Sequence, residues 1–425
     1  MRWKHFRNRS KVWTVPSIYA AAAIAAGILL PPLELRIWPG AAAGLSITSA
    51  TAIYSTIAAG TIALTAIVFS LTFVMVQFSA TAYSPRLVLW VARDPLIAHA
   101  LGVFSATFLY AIAALAWIDR AGSNLVPRAS AFTVMALLVA SIGMFIGIIQ
   151  RIALLQIQRM LTFTGDQGRR VIASLYPRPL AMATDEAVEA LPGTAPTQVL
   201  VHHGRPRAVQ SIDGAELLRL AAHTHAVIEV AVAVGDTVME STTLVRVFGG
   251  AHVIDEQLLL RTIERGEERT FDQDPKYAIR LLVDIAIRAL SPAVNDPTTA
   301  VQALDQIGDL LLRLGRRRLE IGTFRDVGGV VRVTVPFPTW DDFLRLAFAE
   351  IGAYGATSVQ VTRRLHALIG DLVALLPEER RPALHLWLRQ LEHSVETHFA
   401  TPDERAAAWV EDRQGLGVSR RRSAA

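Results

Sequence analysis

Charged side chains recur at regular spacing between Thr270 and Ala300, where that spacing could support binding chemistry. Arg280, Asp284 and Arg288 are spaced four residues apart, so on a helix they form one charged row. The other residues from 281 to 290 are apolar, which predicts that the helix around this row is mostly buried. Because buried charges must be paired or bound, the row predicts either an ion-pair network or a ligand site.

Polar residues flank this helix on both sides, and they could complete a ligand site: Asp272, Asp274, Asn295, Asp296, Thr298 and Thr299. Guanidinium groups suit phosphate or carboxylate, and clustered carboxylates suit Mg²⁺ or Ca²⁺. The set therefore predicts a site for a small anion or a hydrated divalent cation. The alternative is structural, with Asp284 paired to both arginines and Asp296 acting only as a helix cap.

The sequence offers little support for catalysis or for a bound cofactor. No base, nucleophile and oxyanion donor stand in a recognisable arrangement, so we predict no enzymatic activity and no cofactor. The histidine pairs at 202–203 and 223–225 lack a third ligand at a recognisable spacing, so we predict no metal site. The chain has no cysteine, which excludes disulfides and thiolate chemistry.

A second candidate site lies in an uncharged apolar run over residues 52–78. Thr65, Thr72 and Ser79 recur every seven residues, and Ser70 and Gln77 begin a second row that Ser84 continues. If several copies placed this helix around one axis, the rows could line an uncharged polar pore. The alternative is that these groups hold helices together or hydrogen-bond to their own backbone. Gly143 and Gly147 form a GxxxG pair, which favours close helix contact.

The elements that would position these residues begin with four apolar segments at about 13–30, 52–78, 96–117 and 131–149. A bilayer core needs about twenty such residues, so each segment is predicted to span the membrane. The first segment is closed by Pro31-Pro32, and a cleaved signal peptide is its alternative interpretation. We expect no Asp, Glu, Lys or Arg within the spans, which argues against a proton-coupled transporter.

The distribution of basic residues predicts the orientation. Arginines and lysines dominate before the first span, between the second and third, and after the fourth, whereas the opposite side has only Arg36, Arg120 and Arg128. By the positive-inside rule, both termini are predicted to be cytoplasmic in a bacterial inner membrane. Basic ends beside apolar segments indicate anionic lipid as a partner before nucleic acid.

The composition changes after the fourth span, and the predicted fold class is an α-helical integral membrane protein with a cytoplasmic α+β domain. We expect a transmembrane domain at 1–155, a helical connector at 156–192 and a small β module at 193–250 that contains a turn at Gly235-Asp236. A mainly helical bundle follows at 251–402, and a flexible tail at 403–425. Within the bundle, one helix is predicted to end at Gly266, and another to begin with Asp296 as N-cap and Pro297 at its first position.

Three motifs carry a resemblance to a known family: AIVFSLTFVMVQFSATAYSPRL, LGVFSATFLYAI and RTFDQDPKYAIRLLVDIAIRALSPAVNDPTTA. In these motifs the chain resembles bacterial predicted membrane proteins of the domain of unknown function 2254 family. The resemblance implies an integral membrane protein with a cytoplasmic domain, and it implies no established activity.

Two functional hypotheses from different classes follow. The first is a homo-oligomeric channel whose second span lines the path and whose cytoplasmic domain regulates it. The second is a non-conducting, membrane-anchored sensor or scaffold that binds an ion, a small anion or a protein through its cytoplasmic domain. Both hypotheses have the lipid bilayer as a partner.

Overall fold

A computed structural model describes residues 11–37, 44–82, 95–121, 126–153, 157–180 and 195–418. The chain divides into two compact units after Gln156. The described part of the first unit is helical, and the second combines helices with two small β-sheets.

The first unit consists of four long apolar helices: α1 (Lys11–Ile37), α2 (Ile47–Ala82), α3 (Pro95–Ala121) and α4 (Arg128–Ala153). By length and composition, each contains a segment able to cross a membrane, which confirms four candidate spans. Half of the α3 segment is buried, compared with about a fifth of the α2 segment, so α3 is the central helix of the unit. The outward surface exposes Ile, Phe, Val and Met side chains, as a lipid environment requires.

Two glycines allow α1 and α3 to pack closely. A Cβ on Gly27 would lie 2.5 Å from Ala113 Cβ, and one on Gly102 would lie 2.8 Å from the ring of Tyr19. Side chains at either glycine would therefore force the helices apart.

The prediction that Pro31-Pro32 closes the first span was wrong. Helix α1 continues through both prolines to Ile37, because the fixed φ of proline is itself helical and the end of α1 is tied to α4. The tie is Glu34, whose carboxylate accepts a hydrogen bond from the Ala129 backbone N–H at 2.9 Å. Glu34 is only 8% exposed and is the last residue of the candidate span 14–34, which extends beyond the predicted segment 13–30.

The helices of the second unit are α5 (Ile157–Leu175), α6 (Gly214–Thr224), α7 (Glu256–Thr262), α8 (Pro275–Ala289), α9 (Pro297–Gly315), α10 (Trp340–Tyr354), α11 (Val359–Leu375), α12 (Arg381–His398) and α13 (Pro402–Ala408). Its strands are β1 (Gln198–Val201), β2 (Arg207–Ile212), β3 (Ala226–Val230), β4 (Thr237–Val238), β5 (Thr243–Gly249), β6 (Ile263–Gly266), β7 (Thr323–Arg325) and β8 (Val331–Thr334). One sheet has the order β1-β5-β3-β8-β7 and the other the order β4-β2-β6.

The β region is not confined to residues 193–250. Strand β8 pairs in parallel with β3, with Ile228 opposite Val333, and β6 pairs with β2, with Ile212 opposite Ile263. The helix predicted to end at Gly266 instead stops at Thr262, because β-branched Ile263 gains a buried place in the smaller sheet. Long-range pairing therefore overrides the local helical pattern.

The segment after residue 402, predicted to be flexible, forms a helix and side-chain contacts in its described part. Helix α13 is followed by Trp409, whose ring stacks on His366 of α11 with centroids 4.0 Å apart. The buried Asp412 carboxylate accepts hydrogen bonds from the backbone of Gln414 and Val418. Residues 419–425, and residues 181–194 of the predicted connector, lie outside the described ranges; α5 occupies the earlier part of that connector.

Candidate functional site

Helix α8 carries the charged row and is the most deeply buried helix near the candidate site. Asp274 is its N-cap and accepts from the Tyr277 N–H at 3.1 Å, and Pro275 occupies the first helical position. Leu281, Leu282 and Ala286 are fully buried, as the apolar pattern predicted. The charges on this helix are therefore held in a low-dielectric setting.

Arg280 is neutralised by two carboxylates. It contacts Asp284, four residues on, at 2.6 Å, and its guanidinium also reaches Glu350 of α10, with Nη2 2.9 Å from Oε2. The hydrogen bond from Arg280 lowers the pKa of Glu350, and the same bond is the main cause that raises the pKa of Arg280. The group is an ion-pair network across two helices, with guanidinium donors already engaged by protein oxygens.

The network contains a carboxylate that the sequence analysis did not include. The second partner of Arg280 is Glu350, which is 70 positions away in the chain and was missed by sequence reasoning. Nothing in the local pattern around Glu350 distinguishes it from other surface-type glutamates on an amphipathic helix. Arg288 lies two turns after Arg280 on the same helix, is half-buried and also has a partner.

Asp274 forms a second ion pair, with Arg269, at the other end of α8. The Asp274 side chain is 1% exposed and accepts from Arg269 Nε at 2.9 Å and Nη2 at 2.6 Å. The guanidinium of Arg269 also lies over the ring of Tyr277, 5.2 Å from its centroid. Burial raises the pKa of Asp274, and the charge of Arg269 opposes that rise.

The turn predicted at Gly235 packs directly on this pair. Gly235 has φ +92°, and a Cβ there would lie 2.6 Å from Asp274 Oδ2. Two motifs that are separate in sequence, the glycine turn and the segment before α8, therefore meet in the fold. The cavity beside Asp274 has a volume of only about 10 Å³, which leaves room for one water molecule at most.

The flanking polar residues do not gather around one point. Asp272 is exposed and accepts from the Thr270 hydroxyl at 3.1 Å, whereas Asp296 caps α9 by accepting from Thr299 N–H and Oγ1. Asn295 and Thr298 are exposed beside that second cap. Because α8 has 15 residues, its ends are roughly 22 Å apart, so the two groups cannot share a small ligand.

The hydroxyls of the second span hydrogen-bond within their own helix. Thr65 Oγ1 donates to the Thr61 carbonyl and Thr72 Oγ1 to the Val68 carbonyl, both at 2.7 Å. Ser70 and Gln77 are exposed on the protomer; the Ser79 side chain and all of Ser84 lie outside what the structure describes. Thr65 and Ser70 also border a groove of about 710 Å³ between α2 and α3, whose other lining residues are Ile62, Ala66, Phe69, Phe73, Ser105, Phe108 and Leu109.

Other contacts between the apolar helices involve α3 and α4. Thr107 Oγ1 lies 2.9 Å from Ser141 Oγ, and both residues are buried. A Cβ on Gly147 would lie 3.8 Å from the Leu96 side chain of α3, whereas a Cβ on Gly143 would meet no atom of the described residues within 4 Å. Polar contacts and a small residue thus join these two helices.

The architecture defines a class of membrane protein with four apolar helices followed by a separate α+β unit. Comparison with known sequences gives the same result: the chain belongs to the family described as predicted membrane protein (DUF2254), whose profile matches residues 9–371. The uncharacterised proteins Mb1321c of Mycobacterium bovis and Rv1290c of Mycobacterium tuberculosis are each 27% identical to it, over 93% of this chain and 78% of theirs. No solved structure matches the chain.

Proposed function

We propose that the protein is a non-conducting membrane scaffold, anchored by its four helices, whose second unit binds a partner protein on the cytoplasmic side. The observation that carries the proposal is the character of the second span. Its Thr65 and Thr72 hydroxyls donate within their own helix, and most residues that line the groove between α2 and α3 are apolar. A permeating ion needs polar groups that replace its water shell, and this surface supplies few.

The second unit offers a surface suited to a protein partner. Strand β3 begins at the same sheet end at which β5 ends and β8 begins, so the loops that carry Val253 and Val327 share that end. Val253 is 80% exposed and Val327 fully exposed. The Val327 loop is rigid, because the Asp326 carboxylate accepts from two backbone N–H groups in the loop and from Arg332. Rigid, exposed apolar residues favour association with another protein over binding of a small ion.

The scaffold proposal is tested by ion flux. Purified protein in liposomes should give no flux above that of empty liposomes under salt gradients, voltage or tension, while an established channel in parallel vesicles conducts. A photocrosslinker at position 327 in cells should give one discrete adduct that is lost with Val253→Asp, whereas the exposed position 386 should give none. Flux that depends on the protein would reject the proposal.

An oligomeric channel is the second candidate, and the groove between α2 and α3 favours it. Ser70 and Thr65 border this groove on the outer side of an apolar unit, where hydrocarbon is a poor environment for hydroxyls and a second copy could cover them. In that case flux should be weakened by Thr72→Leu or Gln77→Leu. Flux that is unchanged in both variants would reject α2 as the path.

Orientation is part of the proposal and can be tested because the chain has no cysteine. The basic residues before α1 and after α4 favour a cytoplasmic location for both termini in an inner membrane. A single cysteine at position 418 should react with a membrane-impermeant maleimide only after the cells are permeabilised. Labelling of intact spheroplasts would reverse the assignment.

A further inference from the structure

The core of the membrane unit contains one polar residue from each of its four helices. These residues are Glu34 of α1, Tyr54 of α2, Tyr110 of α3 and Ser130 of α4, and all four are buried. Tyr54 and Tyr110 belong to one apolar cluster that also includes Ala50, Ala106 and Ala114. Oxygen atoms are thus collected inside a unit that is otherwise built from hydrocarbon side chains.

Among the described residues, a backbone N–H and no paired cation meets the charge of Glu34. Both carboxylate oxygens lie 2.9 Å from the Ala129 N–H at the start of α4. A helix N-terminus offers the equivalent of roughly half a positive charge, whereas the ionised carboxylate carries a full negative one. A buried charge without full compensation is costly, so further positive charge at this position would be stabilising.

Tyr54 supplies an independent indication that the cluster accepts a ligand. Its side chain is 2% exposed, and its hydroxyl lies near Ser130 and within reach of the charge of Glu34, yet it makes no hydrogen bond of normal geometry to a described residue. Tyr110, in contrast, donates to Ser130 Oγ at 3.4 Å. Buried hydroxyls are normally satisfied, so the free lone pairs of Tyr54 are an available oxygen ligand.

We propose that Glu34, Tyr54, Tyr110 and Ser130 form a binding site for one small monovalent cation, Na⁺ or K⁺. Carboxylate and hydroxyl oxygens are the ligands that such hard ions prefer. The single carboxylate matches a single positive charge, whereas protein sites for divalent ions usually combine several carboxylates. Because each helix contributes one oxygen, the bound ion would hold all four helices together, and this site stands whether or not the protein conducts.

The test is the thermal stability of the full chain in detergent, measured in NaCl, KCl or choline chloride at constant ionic strength. A ligand that binds only the folded state raises the unfolding midpoint with its concentration. We expect a saturable rise in Na⁺ or K⁺ and none in choline.

Two variants and one matched control make the test specific. Tyr54→Phe removes only the unpartnered hydroxyl, so it should remain folded in choline and require about tenfold more cation for the same rise. Glu34→Gln should abolish the rise. Thr107→Val, which alters another buried hydroxyl of the same unit, should leave the cation response unchanged.

Three outcomes would overturn the proposal. The wild-type midpoint could be the same in Na⁺, K⁺ and choline. It could depend on pH alone, which would identify a protonation site instead of a cation site. It could also rise with cation equally in the wild type and in Tyr54→Phe.

Discussion

The two units satisfy their buried polar groups by different means. In the membrane unit, hydroxyls donate to their own helix or across one helix contact, and the buried Glu34 carboxylate meets a helix N-terminus. In the second unit, buried charged groups meet side chains of opposite charge, as in the pairs of buried Asp274 with Arg269 and of buried Arg364 with Asp305. Buried polar groups of the first unit are therefore satisfied by dipoles, and those of the second unit by fully charged side chains.

The difference follows from the surroundings of each unit. A helix that faces hydrocarbon has no water to hydrate a long charged side chain, so its backbone and short hydroxyls must satisfy one another. A unit in water can carry arginines whose stems are buried while their guanidinium groups stay near the surface. Arg280 and Arg269 are both of this half-exposed kind. We therefore expect the loss of an ion pair in the second unit to lower the free energy of unfolding more than the loss of a hydroxyl hydrogen bond in the membrane unit.

The largest effect is expected for Asp274→Asn, which leaves Arg269 without its carboxylate. Removing one partner of a buried ion pair typically costs about 3–5 kcal/mol of the free energy of unfolding. The measurement is denaturant unfolding of the second unit's signal in the full chain. Asp272→Asn, two residues away and exposed, is the control and should stay within about 0.5 kcal/mol of wild type. A cost below about 1 kcal/mol for Asp274→Asn would show that the pair of Asp274 with Arg269 is not a major contribution to the free energy of unfolding.

A slightly smaller effect is expected for Gly235→Ala. The new Cβ would both require a strained φ of +92° and collide with Asp274 Oδ2, for a total of about 3 kcal/mol. Gly204→Ala is the matched control, since Gly204 also has positive φ, +106°, but no described atom lies within 4 Å of its Cβ position. Its cost should be near 1 kcal/mol. Equal costs at the two positions in the same unfolding assay would show that the collision with Asp274 does not contribute to the cost of Gly235→Ala.

Asp284→Asn should cost less than a fully buried ion pair, about 1–2 kcal/mol. Glu350 continues to neutralise Arg280 in this variant, and the pair of Arg280 with Asp284 is 22% and 17% exposed. The double variant Asp284→Asn with Glu350→Gln should cost more than the sum of the single changes, because only then does Arg280 lose both carboxylates. Strict additivity in a double-mutant cycle would show that Asp284 and Glu350 do not compensate for each other in neutralising Arg280.

The acid side of the stability profile should depend on Glu350. Its folded pKa lies below the ordinary value because Arg280 donates to it, so its stabilising contribution is present above pH about 4.5 and is lost as pH falls through the folded pKa. Glu350→Gln should therefore flatten the loss of stability between about pH 5 and 3. The effect is at most about 1 kcal/mol, because the carboxylate is 44% exposed. An unchanged slope would contradict this linkage.

The smallest effects are expected in the membrane unit. Thr107→Val removes a hydrogen bond between α3 and α4 and should cost about 0.6 kcal/mol. Thr72→Val removes a hydroxyl bonded only within α2 among the described residues and should change stability by less than about 0.5 kcal/mol. Both are measured by unfolding in mixed micelles. A larger cost for Thr72→Val would indicate that this hydroxyl contacts a second copy of the chain.

Features encoded locally were well predicted from sequence. The start of α9 at Asp296-Pro297 and the burial around the charged row follow from capping preference and apolar spacing within a few residues. Strand β6 was missed because its pairing partner, β2, lies about 50 residues earlier and the local pattern is helical. Glu34 was missed because the double proline suggested that the first helix ends before it. Packing against α4 instead extends α1 beyond both prolines.

The amino-acid order by itself determined the four apolar helices, the helix starts with Asp-Pro caps and the presence of charges that need neutralising. These properties arise from hydropathy and from hydrogen bonds between near neighbours, so a short window of residues contains them. Only the tertiary structure decided that Glu350 neutralises Arg280, that Gly235 packs on Asp274 and that Glu34 accepts from the Ala129 N–H at the start of α4. Such contacts join residues far apart in the chain, and their geometry is fixed by the packing of whole helices and sheets.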